Sequence, residues 1–405
     1  MTAVTHWTGR EARALREALR LSIRDFADRL GVAARTISNW ESAGSEIRPR
    51  PDMQAVLDTA LAQASGPARD RFTHLMSGAD DDVLAPEPRP ARVLPALTAD
   101  DLSKIIAALD DARRYFDGDV VAQFRQRLGM LAHDDGSLGP RAALPAALGL
   151  VGAIDRSARS VRSDVRDELL GVGARAAEFT GWLYRDAGGR SQAAYWRDRA
   201  TEWAQEAGDL AMQGYVLLRK SQAAWDDRDA PRMLTLSRAV QDGPWHVPQR
   251  VRAEAAQQEA RAQAMLGARL PVIQAKLYEA EELLSAESPH DLGAGYGYPL
   301  FTFQSALCYC EAGDAERALE AHARWQSSHG FSRRDRAYSL TLLGISLARA
   351  GRPEEAARFG LAAYDVATDL NSVRIRQELQ RLAGVLRGGT DRPLAVQRLF
   401  DAVRR

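Results

Sequence analysis

Arg35 and Asn39 stand one helical turn apart in "FADRLGVAARTISNWE", residues 26–41 of a 405-residue chain. A guanidinium can bond bidentately to guanine O6 and N7, and a carboxamide to adenine N6 and N7. Residues at i and i+4 of a helix project the same way, so one insertion into a major groove would bring both to base edges. Each good contact of this kind is worth about 1–3 kcal/mol of discrimination. Ala34 and Ser38 share the expected outward stripe, and Thr36 joins the candidate contacts. Arg24, Arg48 and Arg50 are candidates for phosphates, which position a domain without reading sequence.

Such a stripe needs elements that hold it. Ser22 precedes "IRDFADRL" and is placed to cap a helix, with Asp25 as a weak capping-box partner. Gly31 supplies the positive φ that ends this helix, and a second helix is expected over Ala33–Ser42. The pair forms a helix-turn-helix, with Ala27 small at the close approach and Phe26, Leu30, Val32, Ile37 and Trp40 filling the angle. The segment hides its apolar groups and presents polar ones.

"SIRDFADRLGVAARTISNWE" resembles the Xre-type, phage-repressor-like helix-turn-helix regulators in its alanine at Ala27, glycine at Gly31, β-branched Ile37 and "W-E" at Trp40–Glu41. The resemblance implies that helix Ala33–Ser42 is the recognition helix and that double-stranded DNA is the partner. Two residues depart from the pattern: Ile23 where glutamine is frequent, and Ala33 where serine or threonine caps the helix. A lost cap costs about 1 kcal/mol. Residues 1–77 hold eleven arginines against nine acidic residues, a net of +2, so tight binding calls for two copies, a homodimer on an inverted repeat.

Beyond the head the composition changes twice. "ADDDVLAPEPRPARVLP" carries Asp80–Asp82 and four prolines, and residues 78–97 are expected to be a semi-stiff linker. From 98 the apolar spacing is three and four throughout, with no alternating Val/Ile/Thr run, so the chain is expected to be all-α. Residues 98–173 form a helical connector in this reading, and 174–405 a repeat array. Gly181, Tyr184, Gly188, Ala193 and Ala200 recur at identical offsets as Gly344, Leu347, Gly351, Ala356 and Ala363, and again as Ala306, Tyr309, Gly313, Ala318 and Trp325. This is tetratricopeptide spacing. Two weaker units lie near Gln213–Val240 and Arg252–Leu284, giving about five repeats in a right-handed α-solenoid whose first helices line a concave wall.

"GWLYRDAG", "WAQEAGD" and "AEAAQQEARAQAMLG" resemble stretches of a large group of actinobacterial regulators that join an Xre-type head to a degenerate repeat array. With the head, that resemblance covers most of the chain. In layout alone the chain is similar to peptide-sensing regulators of Gram-positive bacteria. The wall is therefore expected to take a peptide, a small molecule or a protein, with Tyr215, Arg219, Gln222, Gln258, Arg261, Gln304 and Tyr309 as candidate contacts. Trp182, Tyr195, Trp196 and Trp203 are assigned to packing.

Little in the sequence suggests catalysis. There is no G-x-x-x-x-G-K-[ST] and no H-E-x-x-H, and the seven histidines are scattered. Cys308 and Cys310, the only cysteines, point to different faces of a helix and suit neither a disulfide nor a metal. "GAGYG" at Gly293–Gly297 is expected to be a flexible loop. Charges cancel, 54 against 54, and 45% of residues are apolar. No apolar run reaches the roughly 18–20 residues of a membrane span, and the first residues lack the apolar core of a signal peptide. The expectation is a cytoplasmic, non-enzymatic regulator without cofactor or metal. The rival is a protein–protein adaptor whose head does not read DNA, supported by Ile23, Ala33 and the weak charge.

Overall fold

The structure, a computed structural model, describes residues 7–43, 47–77, 98–285, 292–326, 331–389 and 393–404. These residues form twenty-one α-helices and no strand, as the all-α expectation requires. Two compact units divide between residues 85 and 86. The expected linker, 78–97, lies outside the described residues.

The first unit holds α1 (Gly9–Leu19), α2 (Ile23–Leu30), α3 (Ala34–Ala43), α4 (Pro51–Ala62) and α5 (Gly66–Ser77). Thr8 starts α1 through a capping box with Glu11. Ser22 Oγ accepts from the Asp25 backbone N–H at 3.2 Å and caps α2. Gly31 ends α2 at φ +71°, where a side chain would be strained. α4 opens on Pro51, whose missing N–H is harmless at the first helical position. One core joins the five helices around Leu15, Phe26, Ile37, Leu57 and Phe72.

The second unit begins with α6 (Ala99–Asp110), α7 (Ala112–Tyr115), α8 (Gly118–Leu138) and α9 (Pro140–Ser157). Six helical hairpins follow: α10 (Ser163–Asp186) with α11 (Arg190–Glu206), α12 (Leu210–Asp226) with α13 (Ala230–Asp242), and α14 (Gln249–Met265) with α15 (Leu270–Ser285). Then come α16 (Tyr298–Glu311) with α17 (Ala315–Gln326), α18 (Arg333–Arg349) with α19 (Pro353–Asp369), and α20 (Val373–Arg387) with α21 (Leu394–Arg404). The sixth pair exceeds the five or so repeats expected. The expected boundary at 173/174 falls inside α10, because the connector and the first hairpins share one core, from Phe116 and Ile154 to Trp203 and Val216.

The repeated glycines have a common physical cause. A Cβ on Gly181 would lie 3.2 Å from Ala193 O, and one on Gly344 would lie 3.1 Å from Ala356 O. The same twelve-residue offset thus marks the same crossing of paired helices. Seven residues after each of those glycines, Gly188 and Gly351 take φ of +84° and +75°. The next N–H then reaches back five residues, Gly189 N to Tyr184 O at 2.7 Å and Arg352 N to Leu347 O at 2.9 Å. This is the Schellman ending, and it satisfies carbonyls a helix terminus would otherwise leave bare.

The array curls until its last helices meet its first, so the concave wall is closed rather than open. Arg334 of α18 pairs with Asp135 of α8. Ser372 Oγ donates to Asp186 Oδ1 at 2.6 Å, and Trp225 Nε1 donates to Glu378 Oε1 at 3.1 Å. Arg381 Nη2 donates to Asp226 O at 2.7 Å. A Cβ on Gly139 would stand 2.5 Å from Leu370 O, so the backbones approach there as only glycine allows.

Candidate DNA interface and ligand cavity

In the first unit, α3 splits cleanly. Ile37 and Trp40 are buried in the core, while Arg35, Ser38 and Asn39 are exposed on the other side. Arg24, Arg48 and Arg50 are exposed as well. Two residues assigned to the outward set sit differently: Ala34 and Thr36 are half-buried, and Ala34 packs against the core. Ala34 is the first residue of the helix, and there it faces the core rather than outward. The helix runs Ala34–Ala43, one residue later at each end than expected.

A brace the sequence did not disclose holds α3. Arg16 of α1 makes a two-point ion pair with Glu41, Nε to Oε1 at 2.6 Å and Nη2 to Oε2 at 2.9 Å. Its Nη1 donates to Leu21 O at 3.1 Å, tying the pair to the chain between α1 and α2. The Glu41 hydrogen bond holds the Arg16 guanidinium above its ordinary pKa. Trp7 ties the start of α1 to α4 and α5: its Nε1 donates to Asp58 Oδ1 at 2.8 Å and its ring lies 5.8 Å from that of Phe72. Glu41 was visible as part of "W-E", but its partner lies twenty-five residues away and no local pattern points to it.

In the second unit, six of the seven predicted wall residues line one cavity of about 600 Å³: Tyr215, Arg219, Gln222, Gln258, Arg261 and Gln304. They come from α12, α14 and α16, at spacings of three and four that put them on one face of each helix. Tyr309 does not belong there. It is half-buried against the cluster of Ala260, Ile273 and Leu277 between α14 and α15. Five residues separate it from Gln304, about 140° around the helix.

The cavity also takes residues the sequence reading assigned elsewhere or passed over. Trp182 lines it, with the guanidinium carbons of Arg219, Arg334 and Arg374 at 5.3, 5.1 and 4.7 Å from its ring centroid. Its Nε1 donates to Asp135 Oδ2 at 3.1 Å. Trp203 packs in the core as assigned and Trp196 packs partly against it, but Tyr195 is exposed. "GAGYG" is anchored rather than loose. Tyr296 is buried, donates to Gln257 Oε1 at 2.7 Å and lines the cavity.

A chain of hydrogen bonds crosses the wall and fixes its amides. Arg219 Nε donates to Glu178 Oε1 at 2.8 Å and its Nη1 to Gln222 Oε1 at 2.7 Å. Gln222 Nε2 donates to Glu254 Oε1 at 2.5 Å, and Gln304 Nε2 reaches the same oxygen at 3.4 Å. Gln304 Oε1 accepts from Gln258 Nε2 at 2.8 Å and from Arg261 Nη2 at 3.0 Å. Burial pushes the Glu254 carboxyl up from its ordinary pKa and the Tyr215 hydroxyl up to about 12. Asp226 goes the other way: Arg185, at 2.5 Å, outweighs burial and holds it low.

Cys308 and Cys310 are buried thiols with different neighbours, Gln257 O on α14 and the Arg349 guanidinium on α18. Burial raises the Cys308 thiol to about 11, an unreactive setting. Among the described residues no group of three His, Cys, Asp or Glu side chains could hold a metal, and no helix is long and apolar enough to cross a membrane.

Residues 7–80 match the family model of a helix-turn-helix domain. The first unit is therefore a helix-turn-helix domain, the class that lays its second helix in the major groove. No curated protein matches the chain.

Proposed function

We propose that the chain is a sequence-specific, DNA-binding transcription regulator of the Xre type. Its tetratricopeptide-like array dimerises the protein and senses a ligand. The observation that carries this reading is the two-sided α3, with Ile37 and Trp40 buried and Arg35, Ser38 and Asn39 exposed within two turns. Two such helices in a cytoplasmic homodimer would enter successive major-groove faces of an inverted repeat, with half-sites about 34–36 Å apart or a multiple of that. The cavity supports the sensing half: its lining comes from α8, α10, α12, α14, α16, α18 and α20, so a ligand seated there can bias how these helices close. That shifts head spacing only as far as the ligand prefers one closure over another.

The test is selection of bound duplexes from a random pool, followed by titration of the winner at two salt concentrations. An enriched inverted repeat with a steep salt slope is expected. Arg35→Ala and Asn39→Ala are each expected to lower discrimination by about 1–3 kcal/mol. Should the pool show no enrichment with the full chain or with residues 1–85, the regulator reading falls and the adaptor takes its place.

A further inference from the structure

Five arginines line the cavity, and four of them have carboxylate partners. Arg185 pairs with Asp226 at 2.5 Å, Arg219 with Glu178 at 2.8 Å, and Arg334 with Asp135. Arg374 lies 3.7 Å from Asp186 and 3.8 Å from Asp335. Arg261 differs. It is 5% exposed, stacks 4.9 Å from the Trp225 centroid and donates to the neutral oxygen of Gln304. The Cys308 thiol lies beside it and the Glu254 carboxylate acts on it only through space, so among the described residues it has no direct carboxylate partner. Its Nε has no partner, and neither has Oε1 of the adjacent, buried Gln258. The hydrogen-bond chain fixes these polarities: Gln258 spends its amide N–H on Gln304, so its oxygen is the end left over. The wall thus ends in an unpaired cationic donor beside an unpaired acceptor. Buried groups of both kinds are unfavourable until a partner arrives.

The rest of the lining says what else the partner brings. Eight of the lining residues are aromatic; guanidiniums of the described residues lie over Trp182, Tyr215, Trp225 and Tyr338, while Phe303 and Phe331 pack on Trp325 and Phe179 carries neither contact. A cavity of about 600 Å³ falls in the range of small-molecule sites. We propose that the effector is a small aromatic carboxylate whose anion pairs with Arg261 and whose neighbouring N–H or O–H donates to Gln258 Oε1. A cationic ligand would set its charge against Arg261, the one lining guanidinium without a direct carboxylate partner among the described residues, and a neutral one would leave Arg261 as it is. This deepens the sensor reading and rests on it.

The N-acetyl derivatives of phenylalanine, tyrosine and tryptophan serve as probes, each against its neutral C-terminal amide. The readout is thermal unfolding of the full chain without DNA. At about ten times its Kd, a bound acid is expected to raise Tm by roughly 2 °C. The same shift is expected in Arg35→Ala, none with the amides, and none in Arg261→Met, whose own Tm and circular dichroism report that it folds. Arg261→Lys, which keeps the charge, is expected to retain part of the shift. Failure of all three acids to shift the wild type overturns the proposal, as do equal shifts from the amides or an undiminished shift in a folded Arg261→Met. No DNA enters the assay, so these failures leave the regulator to stand or fall on the duplex selection.

Discussion

Replacing Arg16 or Glu41 tests whether the reading helix is held from behind. The side chains are 15% and 10% exposed, so the pair is nearly, though not fully, out of water. Removing one member of a buried pair costs about 3–5 kcal/mol, mostly for the charge left behind. Residual solvent access puts Arg16→Met or Glu41→Leu just below that range, at about 2–3 kcal/mol each. In a domain of this size that lowers Tm by roughly 10–20 °C. The double replacement strands no charge and gives α1 and α3 an apolar contact, so its cost should be about 1 kcal/mol or less. The assay is urea and thermal unfolding of residues 1–85, wild type, both singles and the double, with operator titration alongside. Operator affinity is expected to fall in each single and return in the double, because neither residue lies on the exposed face. Additive losses, a double near 5 kcal/mol, would refute the brace; so would singles that unfold as the wild type does.

Gly31→Ala places a side chain at φ +71° where no atom lies within 4 Å, so the strain is purely conformational. A loss of about 1–2 kcal/mol is expected in urea unfolding of the head. His322 is wholly buried, and burial lowers its pKa to about 3 while unfolding restores about 6.5. The unfolded chain then binds the extra proton, so stability falls as pH drops from 6.5 toward 3, by about 2 kcal/mol at pH 5. Melting curves at pH 7 and pH 5 should show the drop, and His322→Asn should remove most of it. Gly188→Val meets both φ +84° and Val373 2.8 Å from the new Cβ, so it should loosen the contact of α20 with α10. Faster hydrogen exchange along α20, with the head unchanged, is the expected signature.

The parts that sequence disclosed are those that local chemistry decides. Ser22, Gly31, Ile37 and Trp40 define α2 and α3 through a cap, a positive φ and helical spacing, and Arg35 and Asn39 follow from the same period. The crossing glycines were legible because Gly181 and Gly344 meet a carbonyl at the same offset. Six wall residues were legible because first helices repeat their inner face. Tyr309 failed because its place in the repeat pattern is a packing position on another face of α16. Trp182 does pack, against the cluster of Ala143, Ala147 and Leu183, but it also lines the cavity. Its ring of arginines arrives from α12, α18 and α20, and nothing near residue 182 announces them.

The closure of the array changes how the chain must fold. In an open stack each hairpin touches only its neighbours, so stability builds up unit by unit and folding can start anywhere. Here Arg334 meets Asp135 across 199 residues, Ser372 meets Asp186 across 186, and Trp225 meets Glu378 across 153. Contacts that distant must wait for a large loop to close, which slows the last step and ties the two ends to one event. The second unit should therefore melt as one cooperative block. On a ribosome the cavity would be complete only after α20, which supplies Arg374, has emerged, so it would form in a single late step.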